Sequence, residues 1–208
     1  MRASAMTTAD MPFRDRLLAS LVLYAGVMSI YFGAGSIARP PWLSVKTPLD
    51  DLIPFVPAAM PLYALAYVVP LALLWVETTE HGVRRMMRAA FLAYAIAAPF
   101  FVAMPVQDAD PAIDQPHTTC ERLLCVNRDA DRSKNAFPSM HVGLATLLAL
   151  IGWRRSRAWG VALGASAVLI AVSTLLVKQH FLEDLPAGSI VAWVAFRAVY
   201  GPAAEGST

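Results

Sequence analysis

The chain has 208 residues, of which 57% are hydrophobic and only 15% charged, with a formal net charge of +2. A soluble domain carries about a quarter charged residues, so this composition, with a mean hydropathy of +0.52, argues for a membrane protein. The small net charge gives no footing for nucleic-acid binding, and two cysteines cannot by themselves build a disulfide scaffold or a zinc site.

The first sixteen residues are polar, carry Arg2, Arg14 and Arg16, and read as a cytoplasmic N-terminal segment. Leu17–Ile37 is too long for the roughly 7–15-residue apolar region of a signal peptide and is expected to be a retained first span. Residues 39–57 hold five prolines, Trp42 and the pair Asp50-Asp51. They cannot form a regular helix throughout and read as an interfacial stretch leading into the second span, Ile53–Val76. Ala89–Val106 follows as the third. A long loop, Gln107–Asn135, separates it from Val142–Trp153, whose twelve residues reach spanning length only if the helix starts near Phe137. Ala158–Val177 is the fifth span. Leu185–Phe196, extended to about Tyr200 by snorkelling of Arg197, is the sixth. Crossing about 30 Å of hydrocarbon takes about 20 helical residues. The expected fold is therefore an all-α integral membrane protein, a six-transmembrane-helix bundle formed by one domain over residues 17–200, with 201–208 as a tail.

The loops orient this bundle. Arg2, Arg14 and Arg16 precede the first span, Arg84, Arg85 and Arg88 follow the second, and Arg154, Arg155 and Arg157 follow the fourth. Asp108, Asp110, Asp114, Glu121, Asp129 and Asp131 populate the long third loop. The positive-inside rule then puts both termini in the cytoplasm and the acidic loop outside. Cys120 and Cys125 fall outside as well, where an oxidising compartment permits a disulfide stapling the loop; two free thiols are the alternative.

Two of the four histidines stand at outer helix ends. The first is in Pro138-Ser139-Met140-His141, the second in Ser173-Thr174, then His180, then Asp184. Polar residues at a span boundary are costly and point to function. His180 and Asp184, four apart, share a face on a helix. A carboxylate there takes one ring N–H, fixes the tautomer and leaves the other nitrogen free to attack. The fourth and sixth spans are expected to begin near Ser139 and Asp184, so two helix N-termini, which suit a phosphate, meet close to the pair. The Ser139 hydroxyl adds a donor.

These residues resemble the type 2 phosphatidic acid phosphatases, which share their site with vanadium haloperoxidases. That superfamily reads Lys-x6-Arg-Pro, then Pro-Ser-Gly-His, then Ser-Arg-x5-His-x3-Asp. The chain matches the second motif with Pro138, Ser139 and His141, Met140 replacing the glycine, and the third with Ser173, His180 and Asp184. The resemblance implies a phosphohistidine formed on His180, oriented by Asp184, with His141 as general acid and Ser139 and Ser173 at the phosphate. It implies no metal and no other cofactor. Thr174 replaces the arginine of the third motif, and Arg39-Pro40 has Phe32 where the lysine of the first should be. Charge stabilisation of the transferring group is a large catalytic term, so other cations are needed: Lys178 first, then Lys134, Arg132 and Arg128. Residues 51–57, 137–141 and 173–180 look most like the inositol phosphorylceramide synthase-like branch.

The first reading is therefore a membrane lipid phosphatase acting on a lipid phosphate ester at the outer face of a plasma or inner membrane. A lipid phosphotransferase passing a phospho-headgroup to a lipid hydroxyl is the alternative. A non-catalytic carrier or scaffold is the third. The bilayer and a lipid phosphate are the expected partners.

Overall fold

Helix α1 (Phe13–Ile37) coincides with the first expected span. The computed structural model describes residues 10–40, 42–107, 111–131 and 135–201; Arg2, Arg132 and Lys134 lie outside them. The next apolar stretch is a broken rod. Short α2 (Met60–Tyr63), α3 (Leu65–Val68) and α4 (Leu73–Val76) are joined by 3-10 turns at Pro57–Ala59 and Val69–Ala72. Pro70 accounts for the turn at Val69–Ala72, because it removes a backbone donor and crowds the preceding turn, whereas Pro57 and Pro61 stand in first turns, where proline is tolerated.

Helix α5 (Glu80–Ala103) is capped by the Thr79 hydroxyl, which accepts from the Gly82 amide. Its inward face of Val83, Met86, Ala90, Ala93, Tyr94, Ala97 and Phe101 repeats at helical spacing, and the small residues let α1 and α9 approach. Helices α7 (Met140–Arg155) and α8 (Arg157–Leu176) form a hairpin, with Ser139 and Ser156 as N-caps. Helix α9 (Asp184–Tyr200) packs on α7 and α5. Helix α7 is the central element; Leu147 and Ile151 are fully buried. Among the described residues there are two isolated β-bridges and no strand.

Among the described residues, four helical segments are long and apolar enough to cross a membrane: Phe13–Ile37, Pro57–Val76, Glu80–Ala103 and Arg157–Leu176. Helices α7 and α9, with 16 and 17 residues, are shorter and extend about 24–26 Å. Arg85, Arg154 and Arg155 gather around Tyr200 at the C-terminal ends of these two. There Arg85 Nε donates to the Val199 carbonyl at 3.1 Å, and Arg154 Nη1 to that of Tyr200 at 3.5 Å. His141 stands at the opposite end of α7, about 20 Å away.

Two expectations need correction. The long loop contains a helix, α6 (Thr119–Asp131), seated through the fully buried Leu124 on a cluster that includes Ala59, Met60, Tyr63 and Val177. Cys120 and Cys125 both lie on α6 and are free thiols. Five residues along a helix separate them by about 7.5 Å in rise and about 140° in direction, beyond the roughly 7 Å Cα separation that a disulfide allows.

Candidate active site

The turn between α8 and α9 carries His180. It is built by a reversal at the end of α8: the Lys178 amide donates to the Leu175 carbonyl at 3.2 Å and the Gln179 amide to that of Thr174 at 3.0 Å. This paired pattern requires a left-handed residue at its apex, and Lys178 has φ 60°. Glycine is the usual occupant, because any Cβ raises the energy of this conformation by roughly 1–2 kcal/mol. The lysine is held there by its own side chain, whose Nζ donates to the Asp50 carbonyl at 2.9 Å and the Ile53 carbonyl at 2.6 Å.

Asp50 ties the same turn from the other side. Its Oδ1 accepts from the Leu182 amide at 2.8 Å, and its Oδ2 from the Thr47 amide and hydroxyl at 2.7 and 2.8 Å. Burial acts to raise the Asp50 carboxyl. Hydrogen bonds from Thr47 and Leu182 and the Lys178 charge outweigh it and hold the group below its ordinary value. The stabilisation is present above the unfolded value of about 3.9 and is lost as pH falls through the lower folded one. Asp50→Asn is expected to lower stability at pH 7 by about 1–3 kcal/mol. In thermal unfolding the gap from the parent should narrow as the pH falls below the unfolded value and through the lower folded one; a gap that keeps its neutral-pH size in acid contradicts the argument.

His180 is 5% exposed, and Asp184 is fully buried at the first position of α9. His180 Nδ1 lies 3.1 Å from Asp184 Oδ2, which also accepts from the Phe181 amide at 2.8 Å. His180 Nε2 lies 3.1 Å from Nδ1 of His141, the second residue of α7. A carboxylate only accepts, so Nδ1–H of His180 points at Asp184 and its Nε2 is the free lone pair. The Nδ1–H of His141 then donates to that lone pair. The pair thus holds one nitrogen base and, beside it, one N–H donor, in the arrangement that attack on phosphorus and protonation of a leaving oxygen require.

The two histidines face different spaces. His180 lines a polar cavity of about 140 Å³ with Lys46, Asp50, Asp51 and Lys178. His141 lines an apolar cavity of about 300 Å³ with Tyr24, Val27, Tyr67, Tyr94 and Met140. Met140, standing where the glycine of the matching motif would be, is buried and forms part of that apolar wall.

The N-terminus of α7 is locked to that of α9. The Ser139 amide donates to the Asp184 carbonyl at 3.1 Å. A Cβ on Gly188 would stand 2.1 Å from the Ser139 carbonyl oxygen, so only glycine permits this approach. Gly188→Ala is expected to separate the two histidine-bearing elements. It should destabilise by about 1–3 kcal/mol and lower kcat about 10²-fold, as read by turnover and thermal unfolding of the purified variant. Wild-type values for both would contradict the close approach.

The expected phosphate ligands are only partly arranged around the pair. Ser139 is fully buried, and its Oγ caps α7 by accepting from the Val142 amide at 3.4 Å. Ser173, also buried, donates its hydroxyl to the Ile170 carbonyl at 2.8 Å on its own helix. Arg128 reaches the His180 turn, donating to the Pro111 and Val177 carbonyls at 2.8 and 3.2 Å and lying over the Phe55 ring. Lys178 lies at the wall of the polar cavity. No group of three or more His, Cys, Asp or Glu that could hold a metal ion occurs among the described residues.

Sequence reasoning missed Asp50 as an anchor and missed Tyr63, Tyr67 and Asn127 altogether. The two tyrosines, four apart in an otherwise apolar span, were the available signal. Asn127 offered none while α6 read as a loop.

No curated protein and no solved structure matches the chain. The profile of the PAP2 superfamily matches residues 42–198, which include both histidine motifs and well over half of the sequence. This chain belongs to the PAP2 superfamily.

Proposed function

We propose that this protein is a six-span membrane phosphatase that cleaves a lipid phosphate ester through a phosphohistidine on His180, without a metal, at the extracytoplasmic face of a plasma or inner membrane. Superfamily membership supports phosphatase- or phosphotransferase-type chemistry on lipid phosphates. The observation that carries the specific reading is the line from Asp184 through His180 to His141, lying between a polar and an apolar cavity. In this reading the phosphate enters from the polar side and separates the two rings. Nε2 of His180 attacks phosphorus, protonated His141 gives its Nδ1 proton to the leaving oxygen, and the alkyl chain lies in the apolar cavity. Water, deprotonated by His141, then resolves the phosphoenzyme.

A phosphotransferase reading is favoured by the engagement of two cations. Lys178 and Arg128 both hold main-chain carbonyls. A singly charged phosphodiester needs fewer cations than a phosphomonoester near the dianion, and a second lipid alcohol resolves the same intermediate. Product analysis on purified protein in vesicles separates the two. Inorganic phosphate released from phosphatidic acid without an acceptor supports hydrolysis. A new phosphodiester lipid formed only when diacylglycerol or ceramide is added to a diester donor supports transfer. Neither product from either panel would overturn both.

A further inference from the structure

Behind His141 runs a chain of neutral hydrogen-bonding groups that neither histidine motif contains. The Tyr63 hydroxyl lies 3.0 Å from His141 Nε2, the nitrogen that does not face His180, and the Tyr67 hydroxyl lies 3.4 Å from the same atom. The two hydroxyls are 3.3 Å apart. Tyr67 donates to Asn127 Oδ1 at 2.7 Å, and Asn127 Nδ2 donates to Tyr63 Oη at 3.3 Å and to Gln179 Oε1 at 3.2 Å. Tyr63 is fully buried. A buried phenol needs one partner, and Asn127 alone would supply it. The contact with His141 goes beyond that need.

We propose, building on the histidine mechanism above, that Tyr63 is a positioning residue for the proton-transfer step. It pairs with Nε2 of His141 in both protonation states and keeps Nδ1 aimed at the reacting oxygen. In the resting pair, with His141 neutral, Nδ1 carries the hydrogen that faces His180 and Nε2 accepts from the Tyr63 hydroxyl. With His141 protonated, Nε2–H donates to the Tyr63 oxygen, and the Tyr63 hydroxyl hydrogen turns to Tyr67, which donates onward to Asn127. A hydroxyl both donates and accepts, so the reversal leaves no buried polar atom of the ring unpaired. In the forward step the Nδ1–H bond of the imidazolium breaks and an O–H bond forms on the leaving alkoxide, giving the alcohol and a neutral imidazole whose remaining hydrogen stays on Nε2, still donated to the Tyr63 oxygen. In the second step the incoming water or alcohol returns a proton to Nδ1. Tyr63 neither gains nor loses a proton over the cycle.

The test is Tyr63→Phe, which keeps the ring and removes only the hydroxyl. A hydrogen bond to the charged ring is about twice as strong as one to the neutral ring, so its loss disfavours the imidazolium. The expected result is a fall in kcat of about 10- to 100-fold with KM changed less than about threefold, and an alkaline limb of the kcat/KM profile moved down by about one pH unit. Tyr67→Phe, whose contact is longer, should move the limb the same way by less. Asn127→Ala, at a half-buried position, is read by the same pH profile should Tyr63→Phe fail to fold. Wild-type kcat in Tyr63→Phe, or a lower kcat with an unmoved pH profile, would overturn the assignment. His141→Ala is run alongside. Full turnover there sinks the histidine mechanism itself, whereas loss there with wild-type Tyr63→Phe sinks only the role of Tyr63.

Discussion

Replacing His180 by alanine is expected to lower turnover on the order of 10⁴-fold or more, the scale seen when a covalent nucleophile is removed, and to abolish phosphoenzyme labelling from a phosphorus-labelled lipid. The two readouts test different links. Turnover tests whether His180 participates; acid-labile, base-stable labelling tests whether it carries the phosphoryl group. No neighbouring group can substitute. Asp184 is turned toward the His180 ring and the Phe181 amide, and His141 presents an N–H rather than a lone pair to the space His180 would vacate. The alanine variant should still fold, because Asp184, Asp50 and Lys178 all hold the turn through main-chain contacts that do not involve the imidazole. Retention of full turnover, or of labelling in a folded variant, would sink the mechanism.

Much of this site was legible because its parts are short-range. His180 and Asp184 are four residues apart, so helical geometry alone brings them together, and Pro138 and Pro186 mark the places where apolar segments begin. The helix starts at Met140 and Asp184 accordingly fall within a residue or so of expectation. What escaped is long-range or contrary to local preference. Asp50 meets Leu182 across 132 positions, and Tyr63 meets His141 across 78; no spacing rule connects such pairs. Helix α6 was missed because its composition is polar and Leu124 is the one residue of the helix that is buried. The expected disulfide failed for the same reason, since a loop would have let the two thiols meet and a helix does not.

Lys178 shows how the two kinds of information combine. From sequence it is the cation nearest the nucleophile, and a replacement for the missing arginine. In the fold it is also the left-handed residue that ends α8, with an ammonium bound to two carbonyls of the segment preceding α2. Its charge remains at the polar cavity, but its position is set by backbone geometry. The residue that reverses the chain into His180 therefore also delivers positive charge beside it.

The second large effect is expected from Asp184→Asn. The amide oxygen can take the place of Oδ2 and still accept from His180 Nδ1 and the Phe181 amide, so the ring should keep its orientation. The Phe181 N–H also opposes the flipped amide, which would set two donors against each other. What is lost is the charge. Attack by Nε2 on phosphorus builds positive charge on the ring, and a carboxylate 3.1 Å away stabilises that state where an amide does not. Loss of one preorganised electrostatic contact to the transition state should lower kcat about 10²- to 10³-fold, with little change in KM. Stability should move the other way or not at all. Asp184 Oδ1 is buried without a hydrogen-bond partner, and such a group is costly to hold in a folded protein. A folded Asp184→Asn variant with an unchanged or raised unfolding midpoint and a collapsed kcat would mark Asp184 as kept for chemistry at the expense of stability. Activity within tenfold of the parent would mean that orientation alone, and not charge, is what His180 draws from this residue.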